Sequence, residues 1–265
     1  MAEKIGGLLD FKFWNVNRLS FRERASKERL RRVMDYALSG QPGVVGLSEV
    51  YASGLAQVKR IAEDQEYQIV CDAAMNKINT LLLIKNYVHV NAYGTWRRND
   101  PLGGRLDCEA AYAACEIRQA YASRSVRILI ASVYNYSADP IRMAQALQDL
   151  ANNYTEGHLV AGGDWNMSRS LDDDEQLKHL GSSAFDAISK SFSWKNVLPG
   201  SSGTEVPTWP LSKLPSRPRQ LDHLFVKLPA GIEADCQVKV PAPGQAALSD
   251  HALLAATIRA SPGLT

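Results

Sequence analysis

His158-Leu159-Val160-Ala161-Gly162-Gly163-Asp164-Trp165-Asn166 is the stretch that decides how the chain is read: an apolar run of buried-strand type enters two glycines and ends at once in a carboxylate and an amide. The arrangement recurs. Asn15 and Asn17 follow the strand-like Phe11 to Trp14, Glu49 follows Val44 to Leu47, and Tyr134 follows Ile128 to Val133. Late in the chain, Asp222-His223 stands beside Leu224 to Val226, and Ser249-Asp250-His251 comes just before Leu253. One Asp or Asn at a strand end is an ordinary turn former, because its side chain bonds the local backbone. A series of them at successive strand ends is expected to gather on one rim of a layered fold. Hydrolysis of a phosphodiester needs oxygen ligands for a hard cation, groups that orient a water, and donors that meet the charge developing on phosphate. The rim supplies residues of each kind.

Working outward, strands and helices alternate from end to end. Ser20-Phe21-Arg22-Glu23 reads as a capping box, and Leu30, Val33, Met34, Ala37 and Leu38 recur at helical spacing as far as Gly40. A second helix carries Leu55, Val58, Ile61 and Ala62, and strands follow near Tyr67 to Cys71 and Thr80 to Ile84. After a hairpin-rich middle, Arg127 to Tyr134 is strand-like. Asp139-Pro140 then supplies an N-cap and a first-turn proline for a helix bearing Met143, Ala144, Leu147 and Leu150. Gln220 to Val226, Cys236 to Val240 and Leu253 to Ile258 complete the expected strands. The acidic run Asp172-Asp173-Asp174-Glu175 reads as the first turn of a helix, where carboxylates suit the dipole. The mixture fits an α/β sandwich.

The 265 residues are 45% hydrophobic and 22% charged, which suits one globular domain with a core over about residues 8–260. No linker-like stretch and no internal repeat divides the sequence. Runs such as Thr80 to Ile84 and Ile128 to Val133 fall far short of the roughly 20 residues of a bilayer span, and the opening residues have no apolar stretch of signal-peptide length. A cytoplasmic monomer without a membrane partner is expected. Cys71, Cys108, Cys115 and Cys236 show no C-x-x-C pairing and read as reduced core thiols. A net charge of +2 neither demands nor excludes a polyanionic substrate.

Taken in order, Trp14-Asn15-Val16-Asn17, Gly46-Leu47-Ser48-Glu49, Ser132-Val133-Tyr134, Gly163-Asp164-Trp165-Asn166, Leu221-Asp222-His223 and Ser249-Asp250-His251 resemble the motifs of the endonuclease/exonuclease/phosphatase superfamily, the group that includes deoxyribonuclease I. The resemblance spans Trp14 to Leu253. It implies a four-layer α/β/β/α sandwich with two central mixed sheets and the site at one rim. It also implies a Mg²⁺- or Mn²⁺-dependent phosphodiesterase. In that reading Glu49 is the principal metal ligand, helped by Asn17 and Asp250. Asp164 and Asn166 orient and activate the attacking water, and His251, held by Asp222, contacts the scissile phosphate. Asn15 supports the Glu49 and His251 neighbourhood by hydrogen bonding.

The sequence departs from the pattern in places. Ser48 stands where glutamine is usual, a change to the surroundings of Glu49. Tyr134 is chosen for the Tyr/His position, with Ser132 and Tyr136 as alternatives under a shifted alignment. The amide often found three residues beyond the tyrosine would be Ser137, with Asn135 close by. For the substrate, Trp96-Arg97-Arg98, Arg105, and the segment from Thr208-Trp209-Pro210 to Arg217-Pro218-Arg219 offer arginines for backbone phosphates and tryptophans for stacking. Arg97, Arg98, Thr208 and Trp209 are the named substrate-binding candidates. Thr208-Trp209 also resembles the T-W word of retrotransposon-type endonuclease domains. Trp14, Trp165 and Trp194 read as core. A nuclease acting on DNA or RNA is therefore expected, without a counterpart of the abasic-site endonucleases' damage-recognition loops and without the N-T-H word of the sphingomyelinase-like members. A small-molecule or lipid-headgroup phosphatase would share every catalytic residue, and a silent binding module would have no need of them.

Overall fold

The computed structural model describes residues 9–19, 24–71, 78–99, 106–118, 125–136, 139–198, 206–209, 219–240 and 248–261. Its elements run β1 (Leu9–Leu19), α1 (Arg24–Leu38), β2 (Val44–Tyr51), α2 (Ala52–Asp64), β3 (Tyr67–Val70), β4 (Ile78–Lys85), β5 (His89–Asn99), β6 (Leu106–Arg118), β7 (Ser125–Asn135), α3 (Pro140–Thr155), β8 (Leu159–Asp164), α4 (Ser182–Phe192), β9 (Lys195–Asn196), β10 (Asp222–Lys227), β11 (Ile232–Lys239) and β12 (Leu253–Ala260). The strands form two six-stranded sheets, ordered β11-β12-β1-β2-β4-β3 and β5-β6-β7-β8-β10-β9. Each sheet is mixed, with one parallel pair at its centre, β1 with β2 and β7 with β8.

Side-chain alternation builds the layers. Phe11 and Phe13 of β1 join Val44, Leu82, Ile128, Ile130, Val160 and Leu224 between the sheets, while Trp14 and Val16 on the other face pack with Leu30, Val33 and Met34 of α1. A third cluster, containing Trp165, Trp194 and Phe225, lies between the second sheet and α3 and α4. The result is the helix–sheet–sheet–helix sandwich that the sequence leads one to expect. Asp139 caps α3 by accepting from the Ile141 amide at 2.9 Å, with Pro140 in the first turn. Among the described residues no helix is long and apolar enough to cross a membrane. Cys108, Cys115 and Cys236 are buried and Cys71 is half-buried.

Some expectations shift. The capping box at residues 20–23 lies outside the described residues. β10 begins at Asp222 instead of Gln220, and β11 starts earlier than Cys236, because its apolar residues alternate with Glu233, Asp235, Gln237 and Lys239 as suits an edge strand. The acidic run is not the first turn of a helix. It lies in the turn between two short 3₁₀ segments, Arg169–Leu171 and Lys178–Leu180. From there Asp172 reaches forward to accept from the Ser182 amide at 2.6 Å at the start of α4.

The sheets pack closely around Phe13. A Cβ on Gly46 would fall 2.6 Å from Phe13 Cδ1 and 2.7 Å from Ser132 Oγ, and one on Gly162 would fall 2.3 Å from Phe13 Cδ2. Glycine at both positions lets the ring fill the gap between sheets. Two residues further along β1 and on the same face, Asn15 can therefore reach from one sheet to the other.

Candidate active site

Strand register assembles the site on the second sheet. Arg97 of β5 stands opposite Glu109 of β6, Glu109 opposite Tyr134 of β7, Tyr134 opposite Asp164 of β8, and Asp164 opposite Asp222 of β10. Period-two alternation points this whole row toward the other sheet, one step beyond the row of Ala111, Ser132, Gly162 and Leu224. The first sheet answers with Asn15, opposite Ser48 in register, and with Glu49. Both β1 and β2 are irregular here, between Asn15 and Leu19 and between Leu47 and Val50. Bulges of this kind turn side chains out of the ladder. Asn17, Glu49 and Asn166 all take left-handed backbone, with φ of 42°, 60° and 50°. Such conformations cost on the order of 1–3 kcal/mol each and collect where function holds them.

Asn15 is the tie between sheets. It is fully buried, and its amide donates to Glu49 Oε1 at 3.1 Å and to Asp164 Oδ2 at 2.8 Å. Its second side-chain contact is thus Asp164 and not His251. The His251 link runs through the backbone, since Ser249 Oγ donates to the Asn15 carbonyl at 2.6 Å and accepts from the His251 amide at 3.1 Å. Asn15 Oδ1 in turn accepts from the Asn17 amide at 2.9 Å. Asp164 accepts from the Asn166 amide at 3.0 Å, and the Asn166 side chain donates to the Asn135 carbonyl at 2.6 Å.

His251 Nδ1 lies 2.9 Å from Asp222 Oδ2, and both side chains are buried. Burial lowers the imidazole's pKa, but the Asp222 charge and hydrogen bond, with Asp164 and Asp250 adding to them, outweigh it and leave the ring at about 9. Asp164 is held well above the usual carboxylate range, first by burial and then by Asp222, against the opposing pull of His251 and Asn15. Burial also raises the Tyr134 phenol, and Glu49 and Asp164 raise it further, so the hydroxyl stays protonated. The rim thus holds a charged ring and a phenol donor among Glu49, Asp164, Asp222 and Asp250.

For a cation, the oxygen-bearing candidates are Glu49, Asp250 and Asn17. Among the described residues no three His, Cys, Asp or Glu side chains gather closely enough to hold a metal by themselves. A hard ion such as Mg²⁺ keeps several waters and takes only one or two carboxylates from protein, so this donor set fits it. Asp250 Oδ1 is buried without a hydrogen-bond partner, an orphaned carboxylate oxygen of the kind a cation would satisfy. Its Oδ2 accepts from Trp209 Nε1 at 3.2 Å.

The residues singled out from sequence do not all meet. Glu49, Tyr134, Asp164, Asn166 and His251 line one cavity of about 300 Å³, together with Trp209. Ser132 lies one row deeper against Gly46, and Tyr136 stands at the mouth, 57% exposed. Ser137 and Arg105 lie outside the described residues, as does the segment 210–218 with Pro210, Arg217 and Pro218. Ser48 is buried and its hydroxyl has no partner. Arg97, Arg98 and Thr208 do not reach the cavity as substrate-binding residues would. The Arg97 guanidinium pairs with buried Glu109 at 2.7 Å, whose other oxygen accepts from the Thr80 amide at 3.1 Å. Arg98 stands opposite Cys108 on the face away from the other sheet. Thr208 is fully buried, its hydroxyl accepting from the Leu221 and Asp222 amides at 2.9 and 3.0 Å. It positions the start of β10.

Arg29 escaped the sequence reading. From α1 its guanidinium donates to the carbonyls of Leu248, Val16 and Asn17, stapling the end of β1 to the chain that carries Asp250. Asp250 and Glu49 both favour its charge against burial. A charged residue beside Leu30 and Val33 on the packed side of a helix is the signal that could have found it.

Two mixed six-stranded sheets between helices make this the deoxyribonuclease I plan. The sequence pattern of the Endonuclease/Exonuclease/phosphatase family matches residues 13–251, and the chain belongs to that family. An endonuclease/exonuclease/phosphatase from Bacteroides vulgatus superposes with a TM-score of 0.69 at 14% identity, covering 96% of this chain and 99% of its own. TDP2 from C. elegans superposes at 0.65 with 15% identity, over 95% of this chain and 75% of that one. A mannosyl-6-phosphatase from Bacteroides thetaiotaomicron gives 0.68 at 10% identity, over 94% and 99%. No curated protein sequence matches the chain significantly. Identities this low establish a common fold.

Proposed function

We propose that the chain is a divalent-metal-dependent phosphodiester hydrolase, a nuclease acting on DNA or RNA by in-line attack of an activated water. The observation that carries this reading is the convergence of Glu49, Tyr134, Asp164, Asn166 and the Asp222-held His251 on one cavity. A Mg²⁺ or Mn²⁺ ion held by Glu49, Asp250 and Asn17 would supply Lewis-acid stabilisation of the phosphoryl oxygens. The remaining work falls to side chains. Asp164, whose raised pKa suits a base near neutrality, takes the proton of the attacking water, and Asn166 fixes that water's direction. His251 presents Nε2 to a phosphate oxygen while Nδ1 is held by Asp222, and the Tyr134 hydroxyl donates to the same group. Asn15 keeps Glu49 and Asp164 at fixed separation.

A small-molecule phosphatase is the second reading, favoured by the cavity's volume of about 300 Å³, the low end for small-ligand sites. A substrate panel with Mg²⁺ or Mn²⁺ separates the two: plasmid, single-stranded DNA, RNA and abasic duplex against inositol phosphates, sugar phosphates and nucleotide monoesters. Cleavage of polynucleotides is expected. Turnover confined to monoesters would overturn the nuclease reading in favour of the second.

A further inference from the structure

Glu49 stands on a distortion of its strand. In the pairing of β2 with β4, Leu47 lies opposite Leu81 and Val50 opposite Asn79, so Ser48 and Glu49 together face the single residue Thr80. Two residues against one make a β-bulge, which re-aims a side chain and disrupts the ladder locally. Resting on the reading of Glu49 as a cation ligand, we propose that buried Asn79, backed by Arg97 and Glu109, is a positioning residue: it locks this bulge and so aims the Glu49 carboxylate.

Both strands at the bulge are tied into one network. On β2, the Val50 carbonyl, one residue after Glu49, accepts from Asn79 Nδ2 at 3.3 Å. On β4, the Thr80 amide donates to Glu109 Oε2 at 3.1 Å, across the sandwich. Arg97 joins the two ends. Its Nε and Nη2 donate to Glu109 Oε1 at 2.9 and 2.7 Å, and Nη2 also donates to Asn79 Oδ1 at 3.3 Å. The contacts therefore run from Thr80 through Glu109, Arg97 and Asn79 to Val50, closing around Ser48 and Glu49. Within them Asn79 uses both ends of its amide, one on Arg97 and one on the backbone that carries Glu49.

Stability alone does not account for these residues. Further along β4 the strand is filled by Leu81, Leu82, Leu83 and Ile84, all buried. A buried ion pair gives little stability beyond apolar residues of the same volume. Glu109 is also penalised by burial, which raises its carboxyl against the opposing pull of Arg97 and Thr80. What the polar network has and leucines lack is a donor for Val50 and an acceptor for Thr80, which fix the pairing on either side of the left-handed Glu49 backbone. Groups behind a metal ligand hold it in the orientation that binds, and loss of one costs roughly 10–100-fold in metal affinity or activity.

Mn²⁺ binding to metal-free protein, followed by the electron paramagnetic resonance signal of free Mn²⁺, tests this role in wild type, Asn79→Leu, Asn79→Ala and Ile188→Val. Asn79→Leu is close in size and removes both hydrogen bonds, and Asn79→Ala removes them without overfilling the site. Ile188, buried in α4 on the second sheet, reports what a loss of core packing does by itself. Thermal melting gives the stability of each variant. Mn²⁺ affinity is expected to fall about tenfold in the Asn79 variants and to keep its wild-type value in Ile188→Val, although that variant melts lower. Unchanged affinity in a folded Asn79 variant, or an equal fall in Ile188→Val, would overturn the positioning role while Glu49 stands as a ligand. Loss of the fold in both Asn79 variants would assign the network to stability and overturn the role too. Wild type that binds no Mn²⁺ would overturn the ligand reading, and the positioning role with it.

Discussion

Replacing Asp222 by asparagine removes the charge beside His251 but keeps the shape of the side chain. In the native protein the imidazole sits at about 9 against an ordinary 6.5, the Asp222 charge and hydrogen bond overcoming the cost of burial. The gap corresponds to about 3 kcal/mol in favour of the charged ring. A folded-state pKa raised above the unfolded value means that this stabilisation is fully present below pH 6.5 and lost as pH rises through about 9. With asparagine in place, burial remains and the main opposing charge is gone, so the ring should titrate below its native value, toward the ordinary one. NMR titration of the His251 imidazole in metal-free protein reads this directly. In the phosphodiesterase assay at neutral pH, kcat should fall about a hundredfold, the usual scale for a positioned group acting in the transition state. His251→Ala should cost a similar factor, and the double variant should be scarcely worse than the more damaging single one. An unchanged titration in Asp222→Asn, or strictly additive losses, would refute the pairing.

Arg97→Met should strip Glu109, a fully buried carboxylate, of its partner and destabilise the fold by about 3–5 kcal/mol; urea denaturation measures the loss, and a variant as stable as wild type would contradict the structural role given to Arg97. Gly162→Ala would place a Cβ 2.3 Å from the Phe13 ring, a clash expected to cost about 1–3 kcal/mol by the same assay. Glu49→Gln should leave melting unchanged but weaken the dependence of rate on Mg²⁺ or Mn²⁺, and an unaltered metal titration would remove Glu49 from the ligand set.

The row of polar strand ends was legible because it sits at the ends of central strands. Leu159 to Ala161 and Ile128 to Val133 are buried on both faces, so their apolar runs are continuous and their polar ends stand out. Distances across the sandwich were not legible. That Asn15 ties Glu49 to Asp164, and not to His251, depends on Phe13 lying against two glycines on opposite sheets. Arg97 looked like a phosphate contact because its charge is visible in sequence, whereas its partner Glu109 becomes its neighbour only through the β5–β6 pairing. Thr208 likewise gave no sign that its hydroxyl would be spent on the amides of β10. Leu171, Leu177 and Leu180, which also line the cavity, belong to no single helix or strand, so no periodicity marked them together.

Cleavage of supercoiled plasmid by wild type and by Asp164→Asn, each with Mg²⁺ and with EDTA, tests the rim as a metal-dependent phosphodiesterase centre most directly. Wild type is expected to nick with Mg²⁺ and not in EDTA, and Asp164→Asn to be folded and inactive in both. Nicking that persists in chelator, or in the Asp164 variant, would contradict it.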